Sequence, residues 1–189
     1  MNNSFDEFLK NIEEKFNCND IDNYIKEFNN NNFDKSVTFY SKLLELVKKE
    51  ENSSIRIKAI NIIRDNIKDI SINDYNSYFL FIDITMLLGI EYYLINNNDK
   101  AKYYFDIVVE FGEKYKNYSK KNYYDIINCA YSWLVYYSYN DKNYDKVKEY
   151  CNKVLSNYNE VKDDPDYNIT EKESVSICLN YLDSIKKNS

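Results

Sequence analysis

Apolar residues recur along this chain every three to four positions, and no segment sustains the alternation of a strand. Phe5, Phe8, Leu9, Ile12 and Phe16 form the first stripe, opened by Ser4 with Glu7 three residues on, the signature of a capping box. A short second helix carries Ile21, Tyr24, Ile25 and Phe28 and stops at the asparagine run 29–32. The third spans about 33–49, with Val37, Tyr40, Leu44 and Val47 inward. Ser53 or Ser54 is expected to cap the fourth, whose Ile60, Ile63, Ile67 and Ile70 share a face. A fifth starts near Asn73 and a sixth follows the Asn-rich turn after Ile95. Ser119 caps a seventh (Tyr123, Ile126, Ile127, Ala130, Leu134, Tyr137), and Tyr144, Val147, Cys151, Val154, Leu155 and Tyr158 mark the eighth. After a polar loop with the single proline, Pro165, a second capping box at Thr170 and Glu173 opens the last helix, with Val175, Cys178, Leu179, Leu182 and Ile185. The pattern predicts an all-α fold of about nine helices, whose short connections make neighbours antiparallel.

The segment 87–111 is the most telling. Gly89 and Ala101, placed on facing sides of a helical hairpin, let two backbones approach closely, and Leu88, Tyr92, Phe105 and Val108 fill the space around them. Such a unit cannot bury its own apolar face and must stack on neighbours. The order Thr85, Leu88, Gly89, Tyr92, Ala101, Phe105, Val108 returns as Tyr131, Leu134, Val135, Ser138, Val147, Cys151, Val154, and more faintly as Leu43, Leu46, Val47, Ala59, Ile63.

These positions resemble a tetratricopeptide repeat: a large residue, then Leu-Gly, an aromatic three after the Gly, and twelve after the Gly an Ala, followed by an aromatic four later and a small residue three later. The resemblance is clearest over about 74–116 and 119–158. The anchors Ala59, Ala101 and Val147 lie 42 and 46 apart, longer than the family's 34, and the prolines that usually close each repeat are missing. The second and third helices also read as a hairpin, so two pairing frames stay open. The resemblance implies a right-handed α-solenoid of antiparallel hairpins over a single domain, 1–189, with a capping helix at about 170–187. It also implies a concave groove lined by the first helix of each pair. Its groove positions fall on Asp83, Met86, Ile90 and Tyr93, then Ser132, Tyr136, Tyr139 and Asn140; the alternative is that several of these pack against the neighbouring helix. The Lys and Asn with which some relatives hold a peptide carboxylate are replaced here by Cys129, Ser132, Trp133 and Tyr136.

Composition narrows the chemistry. The chain has 189 residues with 21 Tyr, 2 Gly and no His. Without His there is no Ser-His-Asp triad and no His-based metal site, and two isolated glycines form no phosphate-cradling loop. No cofactor and no metal ligand set is expected. The run Asp164, Asp166, Asn168 resembles the start of an EF-hand, but Ile169 and Val175 stand where Gly and Glu are needed. Asp83, alone in an apolar helix, lacks a catalytic companion, so an enzyme is not expected. A net charge of −6 speaks against nucleic acid, which needs a basic stripe. Excess Tyr and Asn follow the AT-rich codons that these residues share with Lys and Ile, and reflect an AT-rich genome more than a binding surface.

The N-terminus shows no basic start with an apolar run, so no signal peptide is expected. The apolar stretch 78–95 contains Asp83 and Glu91, and a charge at a bilayer centre costs roughly 2.5–3.5 kcal/mol. A buried helix is therefore expected, not membrane insertion. Cys18, Cys129, Cys151 and Cys178 show no close spacing, which reads as buried thiols in a reducing cytoplasm. The expectation is a cytoplasmic, non-catalytic protein-interaction module, adaptor, scaffold or chaperone-like, that holds another protein's peptide or helix in its concave groove. The alternative is a regulatory domain that senses a ligand or short peptide.

Overall fold

Helix is the only regular structure among the described residues of the computed structural model, which are 4–31, 33–67, 70, 72, 74–115, 120–163 and 170–187. They form α1 (Phe5–Lys15), a 3-10 turn (Cys18–Asp20), α2 (Ile21–Asn30), α3 (Ser36–Val47), α4 (Ser53–Asn66), α5 (Tyr75–Leu94), α6 (Asn98–Tyr115), α7 (Lys120–Asn140), α8 (Tyr144–Val161) and α9 (Thr170–Lys187). The all-α reading and the helix number agree with the sequence pattern.

The boundaries differ where a polar residue one step away offers better geometry. Ser4 does cap α1, its hydroxyl accepting from the Glu7 amide at 3.2 Å. For α4 the cap is Asn52, not Ser53 or Ser54; its longer side chain accepts from the amides of Ser54 and Ile55. At α5 it is Asp74, one residue after Asn73, in a reciprocal box with Ser77 that holds the Asp74 carboxyl below its usual range. The helix expected from Phe33 begins at Ser36, because Phe33 is drawn into an aromatic cluster. Ile70 lies beyond the end of α4. The expected cap Ser119 and the acidic run 164–168 lie outside the described residues, as does the Thr170 side chain.

The chain packs as two compact units, Met1–Asn97 and Asn98–Ser189. In the first, Phe5 and Phe8 of α1 meet Phe28 of α2, Phe33 and Phe39 of α3, and Phe28 and Phe39 stack with centroids 4.1 Å apart. Such aromatic pairs add about 0.5–1.5 kcal/mol beyond burial. Ile57, Ile60 and Ile63 of α4, with Leu80, Ile82, Ile84 and Leu88 of α5, complete this core. By length and composition α5 is apolar enough to cross a membrane, yet most of it is buried inside the protein and it carries the ion-paired Glu91.

In the second unit α7 packs on α6, α8 and α9. Its core joins Ala101, Phe105 and Val108, Ile127, Ala130 and Leu134, Val147, Cys151 and Val154, and Cys178. Polar groups fix the helices in register. The Asn157 amide donates to Asn128 Oδ1 at 2.9 Å inside the α7–α8 contact. The Tyr131 hydroxyl donates to Glu113 at 3.1 Å, and Lys153 reaches the same carboxylate at 3.7 Å. Burial pushes the Tyr131 hydroxyl well above the usual phenol range.

All fourteen positions of the two clearer repeat copies are buried. The helix ends at those places also match. Asn96 (φ 60°) and Lys142 (φ 58°) are left-handed, and each is followed by an amide that bonds back five residues, Asn97 to Tyr92 and Asn143 to Ser138, both at 2.8 Å. These are two Schellman caps at the same 46-residue offset that separates Ala101 from Val147. Ala101 has no exposed surface. Ala101→Leu should therefore overpack the second unit and cost about 1–3 kcal/mol, read as a lower urea midpoint at unchanged slope. A silent substitution would remove Ala101 from the core.

Candidate binding surface

The sequence-derived groove residues separate into two rows. Asp83, Met86, Ile90 and Tyr93 run along α5 in the first unit; Ser132, Tyr136, Tyr139 and Asn140 run along α7 in the second. Asp83 is engaged, its carboxylate 2.7 Å from the Lys48 ammonium at the end of α3. Met86 is buried, and Ile90 and Tyr93 are half-buried. On α7, Ser132 is buried and its hydroxyl donates to the Asn128 carbonyl at 2.9 Å. Tyr139 lies 4.8 Å from the Tyr181 ring of α9 and 5.9 Å from Tyr144 of α8, which ties three helices together. Tyr136, edge-on to Trp133 and Tyr137, keeps part of its ring at the surface, and Asn140 is exposed at the end of α7.

A different surface has the shape of a site. Within the first unit, α1, α3 and the start of α5 enclose a groove of about 860 Å³. Half-buried Leu9, Val37 and Phe79 supply its apolar contacts. Five carboxylates line it: Asp6 and Glu13 from α1, Asp34 before α3, Glu45 on α3 and Asp74 at the α5 cap. Three lysines share it, and each is already engaged. Lys42 sits 3.1 Å from Glu13 and 3.7 Å from Glu45, and the hydrogen bond to Glu13 raises its pKa. The Lys35 ammonium lies over the Phe5 ring at 5.0 Å, and Lys10 lies 3.9 Å from Glu14. Asp6 and Asp34 make no ion pair among the described residues. The groove therefore carries surplus negative charge beside apolar surface.

Sequence reasoning could not assemble this groove, because α1 meets α3 across the whole of α2. Another buried constellation was also missed. The Arg56 guanidinium of α4 takes the Glu91 carboxylate of α5 in a two-point grip, 2.7 Å and 3.0 Å, while also donating to the Glu50 carbonyl and the Ser53 hydroxyl. Both side chains are almost wholly buried, at 14% and 4% exposed. This cluster acts as a clasp between α4 and α5.

No arrangement of three His, Cys, Asp or Glu side chains that could hold a metal occurs among the described residues. The chain matches no family model, no curated protein and no solved structure. The functional reading rests on the groove itself and on the doubled hairpin pattern.

Proposed function

We propose that this chain is a non-catalytic protein-interaction module with tetratricopeptide-like hairpins. Its partner is an extended segment of another protein bearing Lys or Arg and an apolar side chain. The observation that carries the reading is the groove between α1, α3 and α5, where Asp6 and Asp34, which make no ion pair among the described residues, stand beside Leu9, Val37 and Phe79. A basic segment would neutralise those carboxylates while its apolar side chains cover the half-buried surface. The same surplus charge opposes phosphate and hence nucleic acid. The repeated Schellman caps and buried anchors support the solenoid-like architecture. Of the sequence-derived groove residues on α7, Tyr136, packed on Trp133 and Tyr137 with part of its ring at the surface, is the aromatic group a second partner contact would use.

Affinity capture from an extract of the native cell, with mass spectrometry, tests the reading. The double variant Asp6→Lys, Asp34→Lys should lose a specific captured protein roughly five- to tenfold while its circular dichroism stays helical, and the difference should fade at high salt. Undiminished capture by that variant would move the site elsewhere. Loss on Tyr136→Ala instead would place it on α7.

A further inference from the structure

Cys151 of α8 and Cys178 of α9 are both without exposed surface, and they lie side by side in the second unit. The Cys151 thiol donates to the Cys178 backbone carbonyl at 3.6 Å, which sets the Cys151 sulfur directly against the backbone that carries the Cys178 side chain. On consecutive helices that pack together, each cysteine sits about two to three turns from the connection, which puts the pair on the same rung.

We propose that Cys151 and Cys178 form an oxidisable pair, converted by a low-molecular-weight disulfide such as oxidised glutathione into an intramolecular bond that ties α9 to α8. The step balances by thiol–disulfide exchange. The Cys151 thiolate attacks one sulfur of glutathione disulfide, breaking that S–S bond and releasing one glutathione thiolate, which takes up a proton. The Cys178 thiol then loses its proton, attacks the Cys151 sulfur of the mixed disulfide and expels the second glutathione. Two protein thiols are oxidised and one glutathione disulfide is reduced to two thiols.

Contact with Cys151 and burial both oppose loss of the Cys178 proton, so Cys151 attacks first. Burial sets the rate. The reagent reaches Cys151 only when α9 opens from α7 and α8, so oxidation tracks that opening and quickens in urea below the unfolding transition. Once formed, the bond closes a loop of 27 residues and restrains the unfolded chain.

The test treats the full chain with oxidised glutathione in graded urea, blocks residual thiols and digests with trypsin without reduction. The expected product is peptide 149–153 joined to peptide 173–186 in a monomeric protein. Its thermal midpoint should lie about 5–10 °C above that of the reduced protein. Cys178→Ser should form neither the linked peptide nor the stabilised species. Should that variant fail to fold, the peptide map of the unaltered chain decides alone. Separate glutathione adducts on Cys151 and Cys178, bridges between two chains, or reaction at Cys129 with the pair left reduced would each overturn the assignment.

Discussion

Glu91→Leu should cost the first unit about 3–5 kcal/mol, the largest loss expected from any single polar substitution in this protein. The replacement removes an anion that is 4% exposed and leaves the Arg56 guanidinium buried against α5 without its two-point partner. A buried charge stripped of its counter-charge pays nearly the full desolvation penalty, whereas a pair removed together does not. The double variant Arg56→Met, Glu91→Leu should therefore recover most of the loss and fall within about 1–2 kcal/mol of the original. Urea denaturation of both variants measures this. If the single and double substitutions cost the same, the clasp contributes packing and not charge compensation. The bonds from Arg56 to the Glu50 carbonyl and Ser53 hydroxyl extend the effect, since they also fasten the turn that precedes α4.

Phe105→Ala should cost the second unit a similar amount, about 3–5 kcal/mol, for a different reason. Phe105 has no exposed surface, and its ring lies parallel to the Trp133 indole, 5.3 Å between centroids. Truncation removes the transfer energy of a benzyl group and leaves a cavity that α6 and α7 cannot close without moving. Trp133 is the single tryptophan of the chain, so its emission reports the contact directly. A red-shifted folded spectrum and a lowered urea midpoint are expected together; Phe105→Leu should cost less, because it keeps most of the volume. A loss under about 1 kcal/mol for the alanine variant would mean that the stacked pair is peripheral to this core.

The helices were legible because an amphipathic helix writes its buried face at a fixed spacing. Val147, Cys151 and Val154 needed no tertiary knowledge to be placed inward. Caps were legible to within a residue or so, since Ser, Asn and Asp compete for the role on local geometry that the sequence does not weigh. Asn52 displaced Ser53 in this way, and Asp74 displaced Asn73. From sequence alone Phe33 reads as the start of a helix, because its aromatic partners Phe5 and Phe8 come from α1, far along the chain.

The groove and the clasp were not legible for the same reason. Arg56 and Glu91 are 35 positions apart, and only the α4–α5 register brings them together. A signal did exist: a lone Glu in an apolar helix, and one of two arginines set among isoleucines. Each is costly unless the other answers it. Asp83 carried the same signal and found Lys48. In the cysteines, burial was readable from the stripes of α8 and α9, but the adjacency of Cys151 and Cys178 depends on how those helices slide past each other.

The way the second unit is connected has a kinetic consequence. Each of its helices packs on the next one along the chain, α6 on α7, α7 on α8, and α8 on α9, with the Lys142 turn already closing one pair locally. The loops to be closed before any reward arrives are therefore short, and topologies of low contact order fold in microseconds to milliseconds. The α7–α8 hairpin, with its buried Asn128–Asn157 bond, is the expected nucleus, onto which the flanking helices would condense. Substitutions at that hairpin should slow refolding, whereas substitutions on α9 should chiefly speed unfolding.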